Sequence, residues 1–497
     1  MSNEIIRPDI YEITKEAVKD GLAIIRQWET DKKLVYQYFQ FPIMGEFPSG
    51  YPDFRKSQIA GDEGPLDYES VFRRERYPPE DIPSWRRFWD FAHEDEYLQH
   101  FWEIGSHVIQ KWYSGAFPDW SETHSRVLVY GSLAKLVDRY IHITGKKDML
   151  EDLFQPLYQE WERSIFWEGL PVNIVVPILG VVFSYDRMKI NNMISVERMG
   201  KPLQLARNNR NTYTISTHGL VIGMATHSLI LRGWTLANKT LDRRHESLKD
   251  IGSYSVALTQ IEEFFAVLRS ETLVDTGFGQ IIVTPIGWGD SWQAYLPHVD
   301  VIAIREYPAQ FENYGWLRTP PTVEKNTCRK VAKLFGALGN TSENRLILAA
   351  KRLNAAFLRT NEGDSIIDIT IGLETLLTSD TQTEITYRLA MRAAALSTIE
   401  KFDEFSPSEI CKACKKVYEY RSAVIHGTKK ANKKWILKLN KEKEIPIIRL
   451  GIRILSCVIR AMVLHQEYLD VDKLDMLLIT KKSRKRKVTI ISTNRNN

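Results

Sequence analysis

Two cationic side chains and two hydroxyls gather near one helix end in the C-terminal part of this 497-residue chain. Between Pro407 and His426, the residues Ile410, Cys414, Val417, Arg421 and Val424 follow the i, i+4, i+7, i+11, i+14 row of an amphipathic helix. Arg421 thus stands on an otherwise apolar stripe. A guanidinium stays charged in proteins, so it needs a carboxylate, a phosphate or an open groove there. Glu374 and Asp368 are candidate carboxylates, and pairing with either would by itself account for Arg421. Tyr418, Ser422 and His426 form a neighbouring i, i+4, i+8 row. His426 falls at the helix C-terminus, where the backbone dipole favours a cation by about 0.3–1 kcal/mol. That preference alone could explain the residue. Taken together, the groups are suited to a phosphodiester: a fixed cation for its charge, and an imidazole for its protons. Residues five apart lie about 140° apart around an ideal helix. Arg421 and His426 therefore share a site only if the last turn loosens or a second subunit completes it.

The elements that must position these residues carry local signals. Ser406-Pro-Ser-Glu409 is a capping box with Pro at the first helical position, and Gly427 is the expected stop. Thr381-Gln-Thr-Glu384 is a second capping box, opening the preceding helix. Upstream, helices are expected from Glu343 to Arg359 and from Asp364 to Leu377. A last helix spans about 446–468, with Arg449, Arg453 and Arg460 on one face, which makes it amphipathic rather than membrane-spanning.

The string Tyr418-Glu-Tyr-Arg-Ser-Ala-Val-Ile-His-Gly427 resembles the Arg-x4-His-Gly signature of Apea-like HEPN domains. The segment Gly363 to Leu377, with Leu373-Glu-Thr-Leu376, is similar to the family's acidic helix, and Glu384 to Ala395 to its next helix. The resemblance covers about 345–427. It implies an all-helical bundle that dimerises so that two such helices face one cleft. It also implies a metal-independent endoribonuclease without cofactor, in which a ribose 2′-hydroxyl attacks the adjacent phosphate. Arg421 would hold the phosphate and His426 would move protons. Glu374 and Asp368 would pack the helices or orient Arg421, and Tyr418 would support the site. Ser422 stands where many such motifs have Asn, which leaves its role open. The family's frequent setting, a toxin or anti-phage defence effector in the cytoplasm, follows from the resemblance alone. So does a partner protein or phage trigger of unknown kind. A non-catalytic HEPN module that holds nucleotide or RNA is the alternative.

The expected fold class is α+β and multidomain. Residues 1–165 read as mainly helical and aromatic-rich, with eight of the 13 tryptophans before Gly169. Leu98, Trp102, Gly105, Ile109 and Trp112 recur at helical spacing there. Residues 166–320 read as mixed α/β, with strands expected at Val172–Phe183, Thr212–Thr217 and Gln280–Thr284, and a helix at Ala257–Leu268. Residues 321–475 read as the helical domain, and 476–497 as a basic disordered tail.

Charge is unevenly placed. From His426 onward there are 18 Lys+Arg against 6 Asp+Glu, while the remainder has 49 against 56. Such a basic C-terminal stretch fits a polyanion, which the resemblance implies is RNA, with Lys429, Lys430, Lys481, Lys482, Arg484, Lys485, Arg486 and Lys487 as candidate phosphate contacts; a merely solvated tail fits as well. Four cysteines give no disulfide framework. Cys411 and Cys414 lack a second ligand pair, so core packing is expected over zinc. Gly289-Asp-Ser291 lacks a nucleophile elbow and an identifiable relay partner, and reads as a turn. No phosphate-binding Gly-rich Lys-Ser/Thr loop occurs, and no apolar run is long enough to span a bilayer.

Overall fold

The computed structural model describes residues 4–57, 64–72, 81–95, 98, 121–209, 218–238, 254–378, 384–402, 405–428, 435–439 and 443–479. The chain forms two compact units, residues 1–261 with 274–332, and residues 262–273 with 333–497. The described elements mix helices with a six-stranded sheet, as expected of an α+β protein.

In the first unit, helices α1 (Pro8–Thr30), α2 (Glu69–Phe72), α3 (Pro83–Glu94), α4 (Ser121–Thr144) and α5 (Glu151–Phe166) surround an aromatic core. Trp85, Phe88, Phe154, Tyr158 and Trp161 are buried in it, so these aromatics serve packing rather than a stacking surface. Trp102 and Trp112 lie outside the described residues. The start of α1 has no local cap. Instead the fully buried carboxylate of Glu162 accepts from the backbone N–H groups of Ile6 (3.0 Å) and Arg7 (2.7 Å) and from the Tyr158 hydroxyl (3.1 Å). A hairpin of β1 (Pro42–Glu46) and β2 (Pro52–Lys56), unforeseen from the Pro-rich sequence, follows α1.

The sheet is antiparallel throughout, in the order β5 (Arg187–Lys189), β6 (Ile194–Arg198), β7 (His227–Ala237), β3 (Gly169–Pro177), β8 (Phe278–Pro285), β9 (Asp300–Glu306). The apolar run Val172–Phe183 divides into the inner strand β3 and the short β4 (Val182–Phe183), which pairs in parallel with β10 (Thr322–Val323). Two helices, α6 (Lys201–Asn209) and α7 (Gly219–Ile222), lie between β6 and β7 in sequence. The expected strand Thr212–Thr217 lies outside the described residues.

The long helix α8 (Tyr254–Thr272) contributes its part from Glu262 onward to the second unit, and α9 (Lys325–Gly339) precedes that unit's main helices. These are α10 (Asn344–Leu358), α11 (Glu362–Leu377), α12 (Ile385–Leu396), α13 (Pro407–Ile425), α14 (Ile447–Leu464) and α15 (Val471–Ile479). A small hairpin, β11 (Ile436–Leu439) with β12 (Lys443–Pro446), interrupts them and was not anticipated. Helices α11 and α14 approach closely at Gly372, where a Cβ would lie 2.9 Å from Leu455 Cδ2. Thr381 lies outside the described residues. The residue before α12 is Glu384, at φ +56° and without a side-chain cap, so the box expected there does not open the helix. Among the described residues, no helix is long and apolar enough to cross a membrane.

A buried guanidinium fastens α15 to this bundle. Arg392 on α12, 3 % exposed, donates to both carboxylate oxygens of Asp475 (2.8 Å each) and to the carbonyl of Leu377 at the end of α11 (2.7 Å). It holds the Asp475 carboxyl below the usual carboxylate range, chiefly by that hydrogen bonding. A depressed carboxyl contributes stability that is present above its unfolded pKa of about 3.9 and lost as pH falls through the folded value. Arg392→Met should therefore destabilise α12 and α15 by about 1–3 kcal/mol at neutral pH. In hydrogen exchange, the difference from wild type should narrow below about pH 4. Equal protection of both helices in the two proteins at pH 7 would contradict the assigned role.

Candidate functional site

Helix α13 carries the site, and both its ends are fixed locally. The Ser406 side chain accepts from the Glu409 N–H while the Glu409 carboxylate accepts from the Ser406 N–H, and Pro407 takes the first helical position. At the far end Gly427 has φ +57°. The Gly427 N–H donates to the Val424 carbonyl (3.1 Å) and the Thr428 N–H to the Ala423 carbonyl (3.1 Å), the paired bonds of a Schellman stop. His426 is the C-terminal cap and is exposed.

The buried stripe follows the expected row at Ile410, Cys414 and Val417 and then runs through Tyr420 and Ala423, with Ala413 also buried and Val424 half-buried. Desolvation pushes the Cys414 thiol well above its usual range, and Cys411 lies 4.0 Å from the Met391 sulfur. No group of three metal-ligating side chains occurs among the described residues.

Arg421 sits at the edge of the stripe with its side chain 31 % exposed. Its guanidinium lies over the Tyr418 ring (5.2 Å to the centroid) and 4.0 Å from Glu374 Oε1. The Tyr418 hydroxyl donates to that same oxygen at 2.6 Å. Burial, followed by the hydrogen bond to Glu374, pushes the Tyr418 phenol up to about 12, so it remains a proton donor at neutral pH. Glu374 and Tyr418 thereby set the orientation of Arg421. The guanidinium itself makes no hydrogen bond among the described residues, which leaves its N–H donors available to an anion.

Of the two parts expected of Asp368, packing the helices or orienting Arg421, its contacts fit the first. It is 2 % exposed and accepts from Arg352 (2.9 Å) and Arg359 (2.8 Å), so its carboxylate is committed to α10 and its end rather than to Arg421.

The Tyr418, Ser422, His426 row opens on a surface groove of about 380 Å³, also lined by Thr386, Lys415, Glu419, Ala423 and Thr428. Lys415 and Glu419 lie three residues before Tyr418 and Ser422, a helical spacing that could have identified them; Thr386 comes from α12 and has no such signal. Arg421 is not among the residues lining the groove, in keeping with the 140° offset. One copy of the chain thus brings His426, Ser422 and Tyr418 together on one face and turns Arg421 toward Glu374. Lys429, Lys430, Lys481, Lys482, Arg484, Lys485, Arg486 and Lys487 lie outside the described residues.

The Gly289–Ser291 segment occupies the loop between β8 and β9. There His298 stands between Asp290 (3.4 Å from Nδ1) and Asp300 (3.6 Å from Nε2), two contacts that the sequence did not disclose.

Comparison with protein-family models, with curated proteins and with solved structures finds no match to this chain.

The stop at Gly427 fixes where His426 is presented, and its cost can be measured. Gly427→Ala should lower stability by about 1 kcal/mol, because a Cβ is disfavoured at this φ although nothing surrounds it. Gly427→Asn should cost less. Urea unfolding in which the two variants match wild type would exclude the left-handed stop.

Proposed function

We propose that residues 321–475 form an Apea-like HEPN domain and that the protein is a metal-independent endoribonuclease. The observation that supports this best is the pairing of two differently prepared groups at the end of α13. Arg421 is oriented by Tyr418 and Glu374 yet retains open donors, and His426 is exposed over a hydroxyl-lined groove.

In this reading the 2′-hydroxyl of the substrate attacks the adjacent phosphorus. The 2′-O–P bond forms as the P–O5′ bond breaks, giving a 2′,3′-cyclic phosphate and a 5′-hydroxyl. One imidazole accepts the 2′ proton and another donates to the departing O5′. Arg421 neutralises charge on the non-bridging oxygens as it grows. Because one copy separates Arg421 from the groove, the working unit is a homodimer in which two α13 helices share a cleft. The basic C-terminal stretch holds RNA by its phosphates. The setting in this proposal is a cytoplasmic toxin or anti-phage defence effector, with the first unit answering a trigger or restraining the nuclease. The separation of Arg421 from His426 equally suits an HEPN module that binds RNA without cutting it, and cleavage assays separate the two.

Purified protein incubated with total RNA in EDTA should cut it and leave 5′ ends that a kinase labels without prior phosphatase treatment. His426→Ala should lower the rate by about 10²–10⁴-fold with fold and assembly retained. Metal-dependent cleavage, 5′-phosphate ends, or full activity in His426→Ala would refute the mechanism. RNA binding without cleavage would favour the binding module.

Light scattering should report a dimer at micromolar concentration. A monomer with intact cleavage activity would rule out the shared cleft.

A further inference from the structure

Arg207 on α6 is fully buried in the first unit and has no carboxylate partner among the described residues. Removing a guanidinium from water costs several kcal/mol, normally offset by an anion. Here only neutral oxygens face it. Nε donates to Gln204 Oε1 (2.8 Å), and Nη1 donates to the Ile222 carbonyl (3.0 Å) and to Gln280 Oε1 (2.8 Å). The Phe54 ring of β2 lies against the guanidinium, 5.3 Å to the centroid. Nη2, equally buried, has no acceptor among the described residues.

The arrangement is held from behind. The Gln204 amide donates to the Ala225 carbonyl (2.9 Å), and the Gln280 amide to the carbonyl of Arg207 itself (3.2 Å). Both amide nitrogens are thus occupied, and both amide oxygens must face the guanidinium. Of its five N–H donors, three are fixed on neutral acceptors and the two on Nη2 remain. Burial also drives the pKa of this guanidinium down to about 9.

A cavity of about 180 Å³ borders the same chain segments: its lining includes Tyr51, which immediately precedes β2, and Met224, two residues after Ile222. Tyr51, Gly180, Met224, Phe311, Gly315 and Arg318 line it, among others. β2 and the turn at Gly223 pack closely there, since a Cβ on Gly223 would meet the Pro52 carbonyl at 2.7 Å and Phe54 Cδ2 at 3.7 Å. The β1–β2 hairpin is a two-stranded sheet separate from the six-stranded one, so it can shift without breaking that sheet's ladder.

We propose that Arg207 is the anion-binding group of a ligand site in the first unit, one that takes a small organic acid by its carboxylate or phosphate. The anion occupies the two Nη2 donors and supplies the missing countercharge. The ligand body extends past Phe54 toward the Tyr51–Met224 cavity as the hairpin gives way. This site is independent of the α13 groove and of any ribonuclease activity.

The test is thermal unfolding of the full chain, in which the Arg207 variants separate this site from the other candidate phosphate contacts, Arg421, Lys429, Lys430 and residues 481–487. Inorganic phosphate and acetate are titrated separately against chloride at constant ionic strength. A saturable rise in Tm of roughly 5 °C is expected with at least one of them, and which one responds tells phosphate from carboxylate recognition. Arg207→Met should abolish that rise. Arg207→Lys keeps a charge without the fork and should weaken the response; it serves in place of the methionine variant should that fail to fold. The absence of a saturable response to either anion would overturn the proposal. So would a response unchanged in whichever Arg207 variant folds. Either result would leave Arg207 as a purely structural donor to Gln204, Gln280 and Ile222.

Discussion

A change of backbone hand at one residue governs the C-terminal site. Gly427 takes a φ of +57°, and two carbonyls of the last turn then find donors in Gly427 and Thr428. Helix α13 can therefore end cleanly one residue before His426. Continuing the helix would wrap Thr428 into the next turn and alter the groove that it helps line. Every other feature of the site is counted back from this end: Ser422 and Tyr418 one and two turns earlier on the imidazole's face, Arg421 on the adjacent one. The Ser406 box fixes the opposite end, so the register of a 19-residue helix is settled by residues at its two boundaries.

This dependence on local chemistry explains what the sequence disclosed. The helices expected at Glu343–Arg359 and Asp364–Leu377 appear as Asn344–Leu358 and Glu362–Leu377, since spacing and terminal residues decide such segments. The offset between Arg421 and His426 was legible from helix geometry alone. Choices made by packing were not. Asp368 could have served Arg421, but Arg352 and Arg359 from the neighbouring helix and its end reach it first. Glu384 adopts a left-handed conformation that no rule of capping anticipates. The β1–β2 hairpin lies in a stretch whose prolines argue for loop, and Pro42 and Pro52 fall at the beginnings of its strands, where a missing N–H is tolerated.

The arginines show how differently one charge can be accommodated. Arg392 is buried but faces a carboxylate and a carbonyl, so it acts as a fastener. Arg421 is partly wet, steered by an aromatic ring and a shared carboxylate, and keeps its donors. Arg207 is dry and surrounded by neutral oxygens. Sequence patterns distinguish none of these environments, because each also depends on residues distant in the chain, Asp475 for Arg392, Glu374 for Arg421 and Gln280 for Arg207. Burial, partner charge and unfilled donors separate the fastener from the other two.

Glu162 has a consequence for the order in which the protein is made. The first N–H groups of α1 are satisfied by a carboxylate about 155 residues further along the chain. As the polypeptide emerges from a ribosome, α1 is exposed long before that acceptor has been synthesised. Its helix start must remain hydrated, or be shielded by a chaperone, until α5 follows. The aromatic core beneath α1 then closes late, through contacts of high sequence separation that are slow to find. Translation speed between these two points thus becomes a physical variable in the folding of the first unit.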